Sequence, residues 1–137
     1  MNTDIFEPID YLLSRGVYLF SGPSSSGKTH KVCDILTNYQ ERCEGDYPKL
    51  LIIVYRQFQD IYTKVAQCFP KTCKIKFLSY LSPDLGNPHT YPTNGRTVVW
   101  LDDAQQLVTS QLARPILIDL ATVLSHHSNI SVFICLQ

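Results

Sequence analysis

Hydrophobic and polar positions along the chain change period several times, and each change marks an element. In residues 4–14, Ile5, Ile9, Leu12 and Leu13 recur at helical spacing, which predicts a short amphipathic helix within an N-terminal segment, residues 1–15. Val17–Ser21 is a compact apolar strand that runs into a loop of glycine and serine. From Lys28 to about Arg42, Val32, Ile35, Leu36 and Tyr39 fall on one helical face, and Gly45-Asp-Tyr-Pro48 ends the pattern. Lys49–Tyr55 is continuously apolar, as a strand covered on both faces must be. Gln57–Phe69 returns to helical spacing, and Lys74–Leu78 fits a short strand.

Residues 82–96 carry three prolines and two glycines among polar residues and predict a surface loop, with His89, Tyr91, Asn94 and Arg96 as a candidate DNA- or neighbour-facing set. Thr97–Leu101 is a further buried strand, Ala104–Leu124 a helical stretch with a break expected at Pro115, and Ile130–Leu136 the last strand. Apolar strands alternating with amphipathic helices specify an α/β domain with a mostly parallel sheet between helices. No repeat or linker divides the chain, so residues 1–137 are expected to form one domain.

Composition narrows the function. Hydrophobic residues are 45% of the chain, which excludes disorder, and 6 glycines and 8 prolines exclude a collagen-like fold. Twelve basic residues balance twelve acidic ones, so the chain does not encode a surface that holds nucleic acid by charge alone. The N-terminus lacks the basic flank and apolar core of a signal peptide, and no apolar run approaches the roughly 20 residues of a membrane span. Five cysteines, an odd number, point to free thiols in a reducing intracellular compartment. Cys68 and Cys73 are separated by four residues but lack the second ligand pair that a zinc site needs.

Candidate chemistry begins at Gly22-Pro23-Ser24-Ser25-Ser26-Gly27-Lys28-Thr29, which matches G-x-x-x-x-G-K-[ST] between a strand and a helix. Roughly one chain of this length in a few hundred carries that pattern by accident, judged from average glycine usage near 7%. Gly22 and Gly27 are expected to adopt dihedrals that turn backbone N–H groups inward, and Ser24, Ser25 and Ser26 keep the loop small. The helix starting near Lys28 adds the favourable field of its N-terminus. Lys28 would reach the β- and γ-phosphates of ATP, and the Thr29 hydroxyl would ligate Mg2+. The strand TVVWL then runs into Asp102 and Asp103. Asp102 is assigned to the metal and Asp103 to polarising the attacking water; the alternative is that one of them caps the next helix.

The stretch from Ser125 to Gln137, HHSNISVFICLQ included, resembles the last motif of viral genome-packaging ATPases of the FtsK–HerA superfamily, most of all those of large DNA viruses and Maverick/Polinton elements. GPSSSGKT, an apolar second strand followed by Gln57, and VVWLDD also resemble that family in order and spacing, over about residues 16–137. The resemblance implies a three-layer P-loop NTPase of the ASCE type. It implies ATP hydrolysis with Mg2+, Gln137 as a γ-phosphate sensor, and a homo-oligomeric, hexameric ring. Such a ring pumps double-stranded DNA into a capsid, with a capsid or portal protein as partner, in the cytoplasm or nucleus of a host cell.

The family presents an arginine to the neighbouring subunit, for which Arg56 and Arg114 are the candidates, while Arg96 begins its strand and faces the opposite side. The family's chains continue past the glutamine with a strand that flanks the phosphate-loop strand, and a core ending at Gln137 would leave Val17–Ser21 as an exposed edge. Read without the resemblance, His126 and His127 form a polar turn with no third metal ligand. Three other readings stay open: a superfamily 3 viral helicase, which would place asparagine where Gln137 stands; a nucleoside or nucleotide kinase, which would need an arginine-rich lid; and a non-catalytic interaction protein on the same scaffold.

Overall fold

Five apolar segments pair into a single sheet in the computed structural model, which describes residues 12–21, 25–104, 111, 113–126 and 129–136. The strands are β1 (Gly16–Ser21), β2 (Leu50–Val54), β3 (Lys74–Leu78), β4 (Thr97–Leu101) and β5 (Ile130–Leu136). Every pairing is parallel, and the spatial order is β1-β5-β4-β2-β3. β2 and β4 are buried at every position, as their unbroken apolar runs require of central parallel strands.

Four helices connect the strands among the described residues: α1 (Ser25–Thr37), α2 (Tyr39–Arg42), α3 (Asp60–Ala66) and α4 (Ala113–His126). Because strand side chains alternate, the sheet separates two cores. On one face, Phe20, Leu51, Ile53, Val98, Trp100 and Phe133 meet α1 and α3 through Val32, Ile35, Leu36, Tyr62 and Val65. On the other, Ile52, Val54, Val99, Leu101 and Val132 meet Leu120 and Val123 of α4. The result is an α/β sheet flanked by helices on both faces. No helix among the described residues is long and apolar enough to cross a membrane.

The elements expected from periodicity are present, with four physical differences. Leu12–Ser14, the end of the expected N-terminal helix, is not helical; Leu13 forms an isolated parallel bridge with Cys43, and residues 1–11 lie outside the described residues. The helix expected over 28–42 starts earlier and is interrupted at Asn38, whose side-chain amide donates to the Asp34 carbonyl at 2.9 Å and so competes with the helical ladder. Gly45, at φ +80, supplies the left-handed turn that redirects the chain towards β2. The stretch expected to be helical from Ala104 is interrupted slightly before Pro115: Gln111 lies in a turn, and Pro115 sits in the first turn of α4, where a missing N–H costs nothing.

The fourth difference concerns residues 82–96. They contain two single-turn 3-10 helices, Pro83–Gly86 and Pro88–Thr90, and the segment is anchored to the core. Leu81, Leu85 and Tyr91 are buried in the second core, and the Tyr91 hydroxyl donates to the Leu85 carbonyl at 2.5 Å. Gly86 packs so tightly on α4 that a Cβ there would lie 2.3 Å from Asp119 Cβ. With Asp84, Asn87, His89 and Asn94 exposed, the segment is the surface loop expected, pinned by these buried anchors.

β1 is an edge of the sheet, as expected, with Val17 50% and Leu19 64% exposed. The opposite edge, β3, carries Lys74 and Lys76, the charged type of strand that resists edge-to-edge pairing.

Candidate functional site

The sheet order places the carboxyl ends of β1 and β4 on either side of β5, since Ser21 is level with Leu136 and Leu101 with Ile134. Two strand spacings, about 10 Å, therefore separate the two segments that carry the sequence's candidate chemistry. The region beyond the carboxyl ends of parallel strands is where open α/β sheets bind ligands.

α1 turns its candidate residues towards the sheet. Lys28 and Thr29 belong to the helical stripe that includes Val32, Cys33, Ile35 and Leu36, all buried against the sheet. Lys28 is only 6% exposed and Thr29 7%, although lysine is seldom so buried without a task for its charge. Gly27 lies inside α1 with no left-handed dihedral, so the expectation that its freedom bends the backbone is corrected. A Cβ at Gly27 would meet nothing within 4 Å. The space beside it is open, and a side chain there would occupy it.

β4 delivers the acid. Val98 and Trp100 point to the α1 side of the sheet, and the same alternation sends Asp102 to that side. The Asp102 N–H donates to the Val54 carbonyl at 2.9 Å, extending the strand ladder by one bond and fixing the backbone. Its carboxylate is buried, 2% exposed. Thr29 Oγ1 donates to Asp102 Oδ1 at 3.0 Å, joining residues 73 positions apart in sequence. The Tyr62 hydroxyl, from α3, donates to Asp102 Oδ2 at 2.5 Å.

Asp103 follows in the left-handed region, φ +54, and its buried Oδ1 has no hydrogen-bond partner. Helix-capping residues have extended dihedrals and a bonded side-chain oxygen. Asp103 has a left-handed rather than an extended dihedral and no partner at Oδ1, and the Asp102 carboxylate is engaged by two hydroxyls; residues 105–110, whose N–H groups a cap at Asp103 would bond, lie outside the described residues. A backbone outlier beside a buried, unpartnered carboxylate oxygen is a feature that functional sites tend to hold.

The side chains on the α1 side of the site are buried. Burial, and then the nearby Asp102 charge, push the Cys33 and Cys135 thiols up to about 12. Burial, then the hydrogen bond to Asp102 and the Asp102 charge, raise the Tyr62 phenol well above its ordinary value. At neutral pH these groups are un-ionised, and Tyr62 is a hydrogen-bond donor to the carboxylate.

The donor chemistry suits a divalent cation. A carboxylate and a hydroxyl are hard oxygen ligands of the kind Mg2+ takes in phosphate-binding sites. A hydroxyl that gives its proton to a carboxylate keeps its lone pairs for such an ion. Among the described residues no group of three or more histidine, cysteine, aspartate or glutamate side chains forms a metal cluster. Cys68 is exposed and Cys73 buried, and both are free thiols.

Other candidates fall at different places. Gly22, Pro23, Ser24, His127 and Gln137 lie outside the described residues. Ser25 and Ser26 are the first residues of α1, so the helix begins three residues before the position expected near Lys28. Arg56, just beyond β2, and Arg114, at the start of α4, are exposed on the carboxyl-end side.

Arg96 is absorbed into the structure at the amino end of β4. It donates to the Glu44 carbonyl at 2.8 Å, to Asn129 Oδ1 at 3.2 Å and to the Tyr39 hydroxyl at 3.4 Å. With Tyr91 buried as well, two of the four residues expected to face DNA or a neighbour are corrected to structural roles, while His89 and Asn94 are exposed.

Sequence reasoning missed Tyr62. Its spacing to Val65 and Phe69 reads as a core stripe, and nothing in that pattern reveals that the ring carries its hydroxyl to Asp102. No family model matches the chain, and no curated protein matches it significantly in sequence.

Proposed function

We propose that this chain is the nucleotide-hydrolysing core of a P-loop ATPase that works as a motor on double-stranded DNA. The observation that carries the ATPase reading is the Thr29–Asp102 bond. Two motif residues from distant parts of the chain share one buried hydrogen bond beside Lys28. A chance glycine loop capping a helix gives no reason for a buried lysine and a buried aspartate to converge there.

The roles follow from the chemistry of each group. The N-terminal turn of α1 would present the positive end of the helix to a triphosphate. Lys28 neutralises charge on the β- and γ-phosphates from a buried position, where the interaction is screened less than in water. Thr29 and Asp102 would hold Mg2+, which supplies charge neutralisation at the phosphate oxygens. Water attacks the γ-phosphorus, the bond to the ADP oxygen breaks, and Asp103 takes the proton that water loses. Gln137 as γ-phosphate sensor rests on the family resemblance, as do the hexameric ring, the capsid partner and DNA packaging.

ATP hydrolysis by the wild type and by Asp103→Asn, each with and without double-stranded DNA, tests the reading. The expected result is Mg2+-dependent hydrolysis stimulated by DNA, reduced by at least about 100-fold in the variant, as for loss of a general base. Equal rates for the two proteins would remove Asp103 from the chemistry. DNA-insensitive hydrolysis would remove the motor assignment and leave the ATPase.

A further inference from the structure

Tyr62 stands at the centre of a hydrogen-bond relay and a ring cluster that the catalytic roles above do not use. Its hydroxyl donates to Asp102 Oδ2, while Gln59 Nε2 donates to the Tyr62 oxygen at 3.4 Å. The Tyr62 proton is thus directed to the carboxylate, since Gln59 occupies the acceptor side. The ring itself has little freedom. It meets Trp100 edge-on with centroids 5.3 Å apart, stacks on Tyr55 at 5.5 Å and takes the edge of Phe58 at 5.6 Å.

We infer that Tyr62 is a positioning residue for metal-dependent nucleotide binding: its hydroxyl locks the Asp102 carboxylate so that Oδ1 stays beside Thr29. The inference rests on the ATPase reading and assigns a residue that no motif contains. The two carboxylate oxygens have separate partners, Thr29 on Oδ1 and Tyr62 on Oδ2. With one bond alone, the carboxylate is free to turn about its terminal torsion, which is broad for aspartate. With both, only one orientation keeps the two hydroxyls satisfied. Ordered partners of this kind behind a metal ligand are worth about 10- to 100-fold in metal affinity where they have been removed. Because the ring is wedged among Trp100, Tyr55 and Phe58, the hydroxyl is held in place by packing rather than by the bond it makes.

Tyr62→Phe keeps those ring contacts and deletes the oxygen. Binding of a fluorescent ATP analogue, titrated with Mg2+ and repeated in chelator, reads the consequence directly. The half-saturating Mg2+ concentration is expected to rise about 10-fold or more, while metal-free affinity stays within about twofold of wild type. A purely structural role would shift both or neither. Gln59→Leu, which removes the donor behind the phenol, is expected to move the Mg2+ midpoint in the same direction by a smaller factor. It carries the test if circular dichroism shows Tyr62→Phe unfolded. Mg2+ midpoints coincident with wild type in the folded variant would overturn the inference and leave the ATPase reading standing. A wild type without any Mg2+-dependent nucleotide binding would overturn the reading beneath it.

Discussion

Replacing Asp103 by glycine is expected to stabilise the fold while disabling hydrolysis. Asp103 holds φ +54 and buries an Oδ1 with no partner. A left-handed conformation costs an L-residue roughly 1–2 kcal/mol, with aspartate at the lower end. Glycine removes that strain but adds about 0.5–1 kcal/mol of unfolded-state entropy, so the two backbone effects nearly cancel. The unpartnered carboxylate oxygen then decides the sign, because a buried unsatisfied polar group costs about 1–3 kcal/mol. The net expectation is a gain of about 1–2 kcal/mol, or about 3–6 °C in melting temperature for a domain of this size. Asp103→Ala, which removes the carboxylate but retains the Cβ, should gain less than glycine. Thermal and urea unfolding followed by circular dichroism measure both variants. If Asp103→Gly is instead destabilised by about 1 kcal/mol or more, the residue is acting as a helix cap or tether, and the argument for a carboxylate held in reserve for chemistry fails.

Two further outcomes are expected. Gly86→Ala should destabilise by about 1–3 kcal/mol, because the new methyl would collide with Asp119 Cβ of α4, an atom close to the backbone that cannot swing away; an unchanged urea midpoint would show that the Pro83–Gly86 turn is not packed on the helix. Stability should also fall steeply in alkali. Burial raises Cys33 and Cys135 from 9.0 to about 12, and Cys43 and Cys73 from 9.0 to about 11. Above the unfolded value these thiols ionise in the unfolded chain while they stay protonated in the fold. Their contribution is therefore complete below pH 9 and lost as pH rises from 9 towards 11–12, at up to about 1.4 kcal/mol per pH unit for each thiol. A melting temperature constant from pH 8 to 10.5 would contradict this.

The parts of the structure legible in the sequence are those in which burial and period leave one solution. β4 and β5 match the largely apolar runs Thr97–Leu101 and Ile130–Leu136 residue for residue, since strands covered on both faces leave little room for polar residues, and the edge strand β3 matches the expected Lys74–Leu78. The phosphate-loop pattern and the acid after β4 were legible as a spacing, and the fold brings Thr29 and Asp102 together. What the sequence hid is what depends on single polar atoms. Residues 82–96 read as surface because proline and glycine outnumber apolar residues, yet one hydrogen bond, Tyr91 to the Leu85 carbonyl, lets that ring enter the core. Tyr62 is indistinguishable from a packing aromatic until its hydroxyl meets Asp102. Asn38 divides a continuous helical pattern through a local bond that periodicity does not register.

The central claim is that Lys28, Thr29 and Asp102 form one site for a magnesium-bound triphosphate, and calorimetric titration of the chain with ATP tests it most directly. Binding in the micromolar to submillimolar range is expected with Mg2+, about tenfold or more weaker in chelator, and lost in Lys28→Ala. No heat of binding at millimolar ATP with Mg2+ present, from a protein shown to be folded, would contradict it.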